Sequence, residues 1–458
     1  MLIYNNLLIN GNSDRFQPFL LNIVSGRRRL LTPDEVRVIR QMKNASSYNE
    51  EMTQLFEKLL QEKQFFTDEM RRKIEDSLEA SGYWKKRNPY ADDYRFSVEI
   101  TRSCNMSCPF CYASQREKVQ TMTKGHIDAI YAFYQKYADD PKKIPETPYI
   151  RITGGEPLVS KDSAMLIPYI AEKWPNAKLL LFTNGLNLLK YFDYLPLDHL
   201  GEVHVSLDGL PRVHLKRRFS GAAPDETVYE DILAGIRKLL DHRIDVKIKT
   251  TVDRNSYLHM GEFRQRLKEL GILDSPHCEH LVGITIDYAD DLDIMKDSNN
   301  QEDIRKIEAY LTTLGVSFSS YPNMTILRQM LSRTENGPYY PKCRRCKCEK
   351  LANYFFSCNG NIYFCDCVKD DIGKLGTYYP EAKLDEEAVS LLYNRTVFNH
   401  TQCANCAYKF ICLGGCRLSA VAKGKEMVCS VFAHEEILDN LEFDYNALLY
   451  QRMAGEHL

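Results

Sequence analysis

The stretch Thr101-Arg-Ser-Cys-Asn-Met-Ser-Cys-Pro-Phe-Cys-Tyr112 follows directly on the alternating apolar run Arg95-Phe-Ser-Val-Glu-Ile-Thr101. It places Cys104, Cys108 and Cys111 in a C-x3-C-x2-C spacing within one loop at the end of a predicted strand. Three thiolates gathered by one short loop can hold three irons of a [4Fe–4S] cluster and leave the fourth iron open to a substrate or cofactor. A closed zinc site would need a fourth nitrogen or sulfur ligand, which this loop does not supply.

Three later motifs, Gly154-Gly-Glu-Pro157, Thr183-Asn-Gly185 and Ser206-Leu-Asp-Gly209, each close a predicted strand. Strands are read at 95–101, 148–153, 178–183, 202–207, 245–251 and 282–287. Amphipathic helices lie between them, such as Thr123 to Tyr137 with Ile127, Ile130, Tyr131, Tyr134 and Tyr137 on one face. Six β/α units make an incomplete parallel barrel whose site lies at the strand C-terminal ends.

The four motifs in this order resemble the radical S-adenosylmethionine (SAM) superfamily. The resemblance implies an α/β fold with a partial (β/α)6 TIM-like barrel over 91–290, and SAM bound at the open iron held by Cys104, Cys108 and Cys111. Gly154 and Gly155 would let the backbone approach the methionyl ammonium, with Glu156 as a compensating carboxylate. Asn184, Ser206 and Asp208 would meet ribose hydroxyls and carboxylate, Arg218 the SAM carboxylate, and Phe110 would pack beside cluster and adenine. Asn-Gly and Asp-Gly also favour tight turns whatever the function, and both readings can hold together.

At 458 residues the chain is expected to form about two or three domains, and 44% apolar with 27% charged residues is ordinary for a globular protein. A net charge of -2 gives no case for a nucleic-acid partner, and the runs Arg27-Arg-Arg29, Lys216-Arg-Arg218 and Arg344-Arg345 read as solvated surface. Neither a signal peptide nor a stretch of roughly 20 apolar residues is found, so a cytoplasmic protein with no membrane partner is expected. Fifteen cysteines in that compartment argue for metal ligands rather than disulfides.

Residues 1–90 read as a separate α+β unit: a strand pair around Phe19–Val24 and Arg28–Leu31 turned at Ser25-Gly26, then helices. Thr32-Pro-Asp-Glu35 is a capping box with Pro at the first helical position, and Thr67 opens a later helix. A hairpin with helices can present a strand edge to a peptide. The unit resembles the winged-helix leader-peptide recognition element of enzymes that modify ribosomally made peptides; a plain packing extension is the alternative. Residues 291–340 read as a bridging segment with helices near 304–314 and 326–331, and 436–458 as a C-terminal helix. His277-Cys-Glu-His280 reads as a solvent-exposed loop rather than a zinc site.

Between residues 343 and 429 there are eleven cysteines, with Gly360-x4-Cys365 and Cys403-x2-Cys406-x5-Cys412-x3-Cys416 followed by Cys429. Residues 341–435 resemble the SPASM domain, which implies two auxiliary [4Fe–4S] clusters and three in all. The resemblance gives Cys403, Cys406, Cys412 and Cys429 to the second auxiliary cluster, and Cys365, Cys416, Cys343 and Cys348 to the first. Cys-Arg-Arg-Cys-Lys-Cys348 offers three thiols where two are needed, and Cys278, Cys346, Cys358 and Cys367 are left without a role. Asp366, beside Cys365, matches a base of sulfatase-maturing relatives.

Among SPASM enzymes the N-terminal unit favours a peptide maturase. Such an enzyme would abstract hydrogen from a precursor-peptide residue and close a crosslink, a cysteine thioether being one form, with flavodoxin or ferredoxin as electron donor. The alternatives are an anaerobic sulfatase-maturing enzyme, which makes formylglycine from Cys or Ser, and a SPASM dehydrogenase or epimerase.

Overall fold

In the N-terminal unit β1 (Leu2–Ile3), β2 (Asn6–Ile9), β3 (Phe19–Asn22) and β4 (Arg28–Leu30) form an antiparallel sheet in that order, so two strands precede the expected hairpin. The computed structural model describes residues 2–3, 6–9, 18–22, 25, 27–42, 45–65, 67–80, 95–111, 121–137, 148–220, 225–284, 301–316, 318–319, 354–367, 372–398, 400–404, 406 and 409–427. β3 is buried on both faces. Leu20 joins a local core with Leu8, Leu31, Ile39 and Leu59, while Phe19 and Leu21 join the main core.

Three helices follow, α1 (Pro33–Met42), α2 (Glu50–Gln61) and α3 (Asp68–Ala80). The capping box forms as read: the Glu35 amide donates to Thr32 Oγ1 at 3.2 Å and the Thr32 amide to Glu35 Oε2 at 3.0 Å. The Arg27–Arg29 turn departs from the solvated reading. Arg29 makes a bidentate contact with Glu35 at 2.8 Å and reaches Glu62 at 2.6 Å, and Arg27 donates to the Glu62 carbonyl.

The central sheet runs β5 (Arg95–Glu99), β6 (Tyr149–Thr153), β7 (Lys178–Thr183), β8 (Leu200–Ser206), β9 (Val246–Val252) and β10 (Cys278–Ile284), each pairing in parallel with the next. Strands that neighbour in chain order, with helices between, are the open β/α barrel that the alternation implied. Ile150, Ile152, Leu181, Val205 and Ile248 bury one face beneath the helices α4 (Lys124–Tyr137) and α9 (Thr227–Asp241), whose Ile127, Ile130, Ile232 and Ile236 are fully buried. Arg151, Phe182, Glu202, His204, Lys247 and Lys249 alternate onto the other face. Helix numbers between these count α5 (Lys161–Ala164), α6 (Leu166–Lys173), α7 (Leu188–Tyr191) and α8 (Pro211–Arg218).

The sixth strand begins four residues earlier than the sequence suggested, and this corrects the His277–His280 loop. His280 is 7% exposed, in phase with Val282 and Ile284, and its ring meets Thr250 Oγ1 at 2.8 Å. Period-two alternation extends back through His280, and a buried imidazole with a hydroxyl partner satisfies it.

Beyond β10 the helix Gln301–Thr313 leads to β11 (Phe318–Ser319), which pairs in parallel with β10. At the opposite edge β12 (Phe355–Phe356) pairs in parallel with β5 and continues as an antiparallel meander through β13 (Asn361–Tyr363), β14 (Lys374–Thr377) and β15 (Lys383–Leu384). The cysteine-rich segment thus extends the barrel sheet. A buried knot joins them, in which Glu99 accepts from Arg102 at 3.1 Å and from the Ser357 hydroxyl. The helices read at 326–331 and 436–458 lie outside the described residues, and among those described no helix is long and apolar enough to cross a membrane.

Candidate functional site

The cysteine loop leaves β5 and is held by the ends of the next three strands. From β6, the Gly155 amide donates to Thr101 O at 2.7 Å and the Glu156 amide to Ser103 O at 2.9 Å. From β7, Asn184 Nδ2 donates to Asn105 Oδ1 at 2.8 Å and stands 3.9 Å from Cys104 Sγ. Beyond β8, Arg218 accepts the Ser107 amide at 3.0 Å and places a guanidinium nitrogen 3.9 Å from Cys108 Sγ. The Gly154–Pro157 and Thr183–Gly185 motifs therefore meet the cysteine loop directly, and Ser206–Gly209 reaches it through the pairing of Asp208 with Arg218.

The two glycines have a packing reason. A Cβ on Gly154, whose φ is +152°, would lie 2.3 Å from Thr101 O, and one on Gly155 2.4 Å from Ser103 O. Only bare backbone lets the β6 loop close on the cysteine loop.

Glu156 is 1% exposed and its carboxylate is held by protein donors. One carboxylate oxygen accepts from the Leu158 amide and Thr183 Oγ1, the other from the Asn184 amide at 2.6 Å. Burial pushes its pKa up to about 7 against those three hydrogen bonds. It ties β6 to β7. Asn184 Oδ1 accepts the Leu186 amide in a tight turn, while Nδ2 faces the cysteine loop.

Asp208 and Arg218, both expected near SAM, are paired with each other. Arg218 donates to both Asp208 oxygens, at 2.7 and 2.9 Å, and the Thr251 amide donates to Oδ1 at 2.9 Å. A fully buried carboxylate needs such partners. Burial alone would raise the Asp208 pKa, but the charge and hydrogen bonds of Arg218 hold it below the usual range. Arg217 also approaches Asp208 at 3.6 Å and pairs closely with Asp253, so the two arginines of this basic run turn inward while Lys216 stays exposed. Phe110 packs under both guanidinium groups, 4.8 Å from Arg217 and 5.2 Å from Arg218. Ser206 ends β8 half-buried, in register with Lys249.

The donor set fits a group bound through three thiolates. Burial pushes the Cys108 thiol above its ordinary range, so a metal ion must displace its proton, and Arg218 offsets the charge that results. The Met106 amide at 3.4 Å from Cys104 Sγ adds to the N–H donors around the sulfurs.

In the C-terminal segment Cys403, Cys406, Cys412 and Cys416 fall on successive short turns, with Cys416 opening the helix Arg417–Ala422. Cys343, Cys346, Cys348 and Cys429 lie outside the described residues. Asp366 reaches the polar face of the barrel, where its carboxylate stands 3.4 Å from Arg151. The sequence reading passed over Arg217, Asp253 and the inner-face residues Glu202, His204, Lys247 and Lys249. The signal for the four strand residues was a polar side chain at every second place of strands that a purely buried parallel sheet would fill with apolar ones.

Residues 98–254 match the family model described as the radical SAM superfamily. This segment is a radical SAM domain. It is similar to GTP 3′,8-cyclase of Campylobacter curvus, 26% identical over 216 residues that cover 44% of this chain and 62% of that protein. It is also similar to the FeMo cofactor biosynthesis protein NifB of Methanocaldococcus jannaschii, 25% identical over 190 residues, or 38% of this chain and 63% of that protein. The match thus spans less than two thirds of either curated relative. Among solved structures, native anSMEcpe with bound AdoMet and Kp18Cys peptide has a TM-score of 0.57 at 16% identity, covering 79% of this chain and 99% of that one. Streptococcus suis SuiB bound to precursor peptide SuiA has a TM-score of 0.55 at 15% identity, covering 94% of this chain and 98% of that one. The fold likeness to these two structures extends well past residues 98–254.

Proposed function

We propose that this chain is a radical SAM peptide maturase that takes a hydrogen atom from a residue of a ribosomally made precursor and closes a crosslink, such as a cysteine thioether. The observation that carries the reading is the SuiB likeness, whose 94% coverage leaves out too little of the chain to omit residues 1–90. SuiB is seen with a precursor peptide, and here that unit presents β4 at a sheet edge with Leu30 60% exposed, a strand to which an extended peptide can add.

In this reading Cys104, Cys108 and Cys111 would hold an iron–sulfur cluster, which when bound would supply the electron for reductive cleavage of SAM. The protein's residues orient and enclose. Gly154 and Gly155 hold the β6 backbone against the cysteine loop, Glu156 fixes the β6 and β7 ends, and Asp208 holds Arg218 beside Cys108. Ser206 and Asn184 offer polar groups to the nucleoside and amino-acid parts of SAM. Two auxiliary clusters are assigned to the C-terminal cysteines, with Cys365 and Cys416 in the first and Cys403, Cys406 and Cys412 in the second.

Anaerobic reconstitution tests the class: SAM and dithionite should give 5′-deoxyadenosine, and a Cys104→Ala, Cys108→Ala, Cys111→Ala variant should give none. Mass spectrometry of a co-expressed precursor peptide tests the product. Loss of two hydrogens supports a crosslink, and an unchanged mass counts against it. A formylglycine-forming reading draws support from Asp366, held by Arg151 beside Cys365. That reading requires a Cys substrate to lose its sulfur.

A further inference from the structure

Cys365, Asp366 and Cys367 bring three ligand atoms within 4.8 Å of one another, the single such group of three among the described residues. They follow β13, where residues two apart point the same way and a turn at Asp366 folds the carboxylate back between the thiols. Asp366 Oδ1 lies 3.8 Å from Cys365 Sγ and 3.7 Å from Cys367 Sγ. Donors held about 2.3 Å from one tetrahedral ion stand about 3.8 Å apart, so the carboxylate has the spacing to each thiol that two ligands of a single ion would have. Arg151 reaches over from β6 to the other carboxylate oxygen at 3.4 Å and fixes its aim, and the Cys367 amide donates to Cys365 Sγ at 3.4 Å, as outer contacts of a metal site do.

We propose that Cys365, Asp366 and Cys367 converge on one metal position, so that Cys367 is an alternative ligand to Cys365 for the same iron. This rests on the assignment of an auxiliary cluster to the C-terminal segment. A cubane takes one thiolate per iron. Two thiols aimed at one corner therefore make either of them dispensable, and the unused one stays beside the bound iron next to Asp366.

The test uses the full chain with Cys104→Ala, Cys108→Ala and Cys111→Ala as parent, so that iron and acid-labile sulfide report only the auxiliary clusters. Cys365→Ala and Cys367→Ala should each keep the parent's iron to within about a fifth, and the double variant should lose about half of it. The electron paramagnetic resonance signal of Cys365→Ala should shift, because its thiolate then comes from a residue two positions away. Equal iron loss in Cys365→Ala and the double variant overturns the proposal, as does a double variant that keeps all its iron. Cys365→Ser and Cys367→Ser repeat the comparison if alanine unfolds the segment. A parent without iron sinks the auxiliary-cluster assignment itself. In that case cobalt(II) titration should still give a thiolate charge-transfer band that vanishes in the double variant, and no such band overturns the convergence.

Discussion

The loop of Cys104, Cys108 and Cys111 and the run of Cys403, Cys406, Cys412 and Cys416 are both short and cysteine-dense, yet they are held in different ways. The first has no helix of its own and is gripped by β6, by β7 and by the Asp208–Arg218 pair beyond β8. The second is built from local turns, with Leu413, Gly414 and Gly415 all at positive φ. One side chain from a neighbouring segment braces those residues: Arg395 donates to Gly414 O at 2.6 Å and to Glu426 O at 3.0 Å. The geometry of the first loop is a property of the whole barrel, whereas that of the second belongs mainly to its own chain.

The largest expected effect follows from removing a grip of the first kind. Asp208→Ala leaves Arg218 and Arg217 without their shared buried carboxylate, and removing one partner of a buried pair costs about 3–5 kcal/mol. Urea unfolding should show that loss, together with loss of iron from the first loop and retention at the C-terminal cysteines. A cost under about 1 kcal/mol would mean the loop does not depend on the strand ends.

Glu156 gives the same grip a pH dependence. Its folded pKa of about 7 lies above the unfolded 4.5, so its stabilising contribution is full below pH 4.5 and fades as pH rises through 7. The gap corresponds to up to about 3 kcal/mol. Glu156→Gln cannot titrate, so the stability difference between wild type and variant should shrink or reverse by that amount from low to neutral pH. A difference flat across this range would show that the three donors keep the carboxylate ionised throughout.

These grips also explain what the sequence disclosed. The barrel and its ordering were legible because six apolar runs recur in chain order and the first four end in motifs, of which two proved to contact the cysteine loop directly and a third to reach it through Arg218. The partners within the site were not. Asp208 and Arg218 were visible as polar residues suited to SAM, but their separation of ten positions says nothing of a bidentate contact formed when α8 folds back over β8. His280 hid in a cluster of His and Cys that looked like a loop, because its hydroxyl partner lies on another strand. Arg395 carried no signal at all, since backbone carbonyls with positive φ residues leave no side-chain pattern to read.

Arg395→Ala tests the other half of the comparison. It removes hydrogen bonds from a buried guanidinium to the carbonyls of the Cys412–Cys416 turn, and should cost about 2 kcal/mol. Iron should fall at the C-terminal cysteines while 5′-deoxyadenosine formation persists in the presence of excess reductant. Loss of both in equal measure would mean the two loops share one support.

The N-terminal unit offers the smallest effect and the clearest separation from both loops. Glu35 closes the capping box of α1 and holds Arg29, and the Arg29 hydrogen bond lowers its pKa to about 2. With a folded pKa below the unfolded value, its contribution is present above about pH 4.5 and is lost as pH falls towards 2. The pair is partly open to solvent, so screening keeps Glu35→Ala to about 1 kcal/mol, the worth of a helix cap. Hydrogen exchange should quicken over residues 28–42 at neutral pH and match wild type near pH 2. Formation of 5′-deoxyadenosine without peptide should be unchanged; a fall there would tie this unit to the cysteine loop through the Phe19 and Leu21 face of β3.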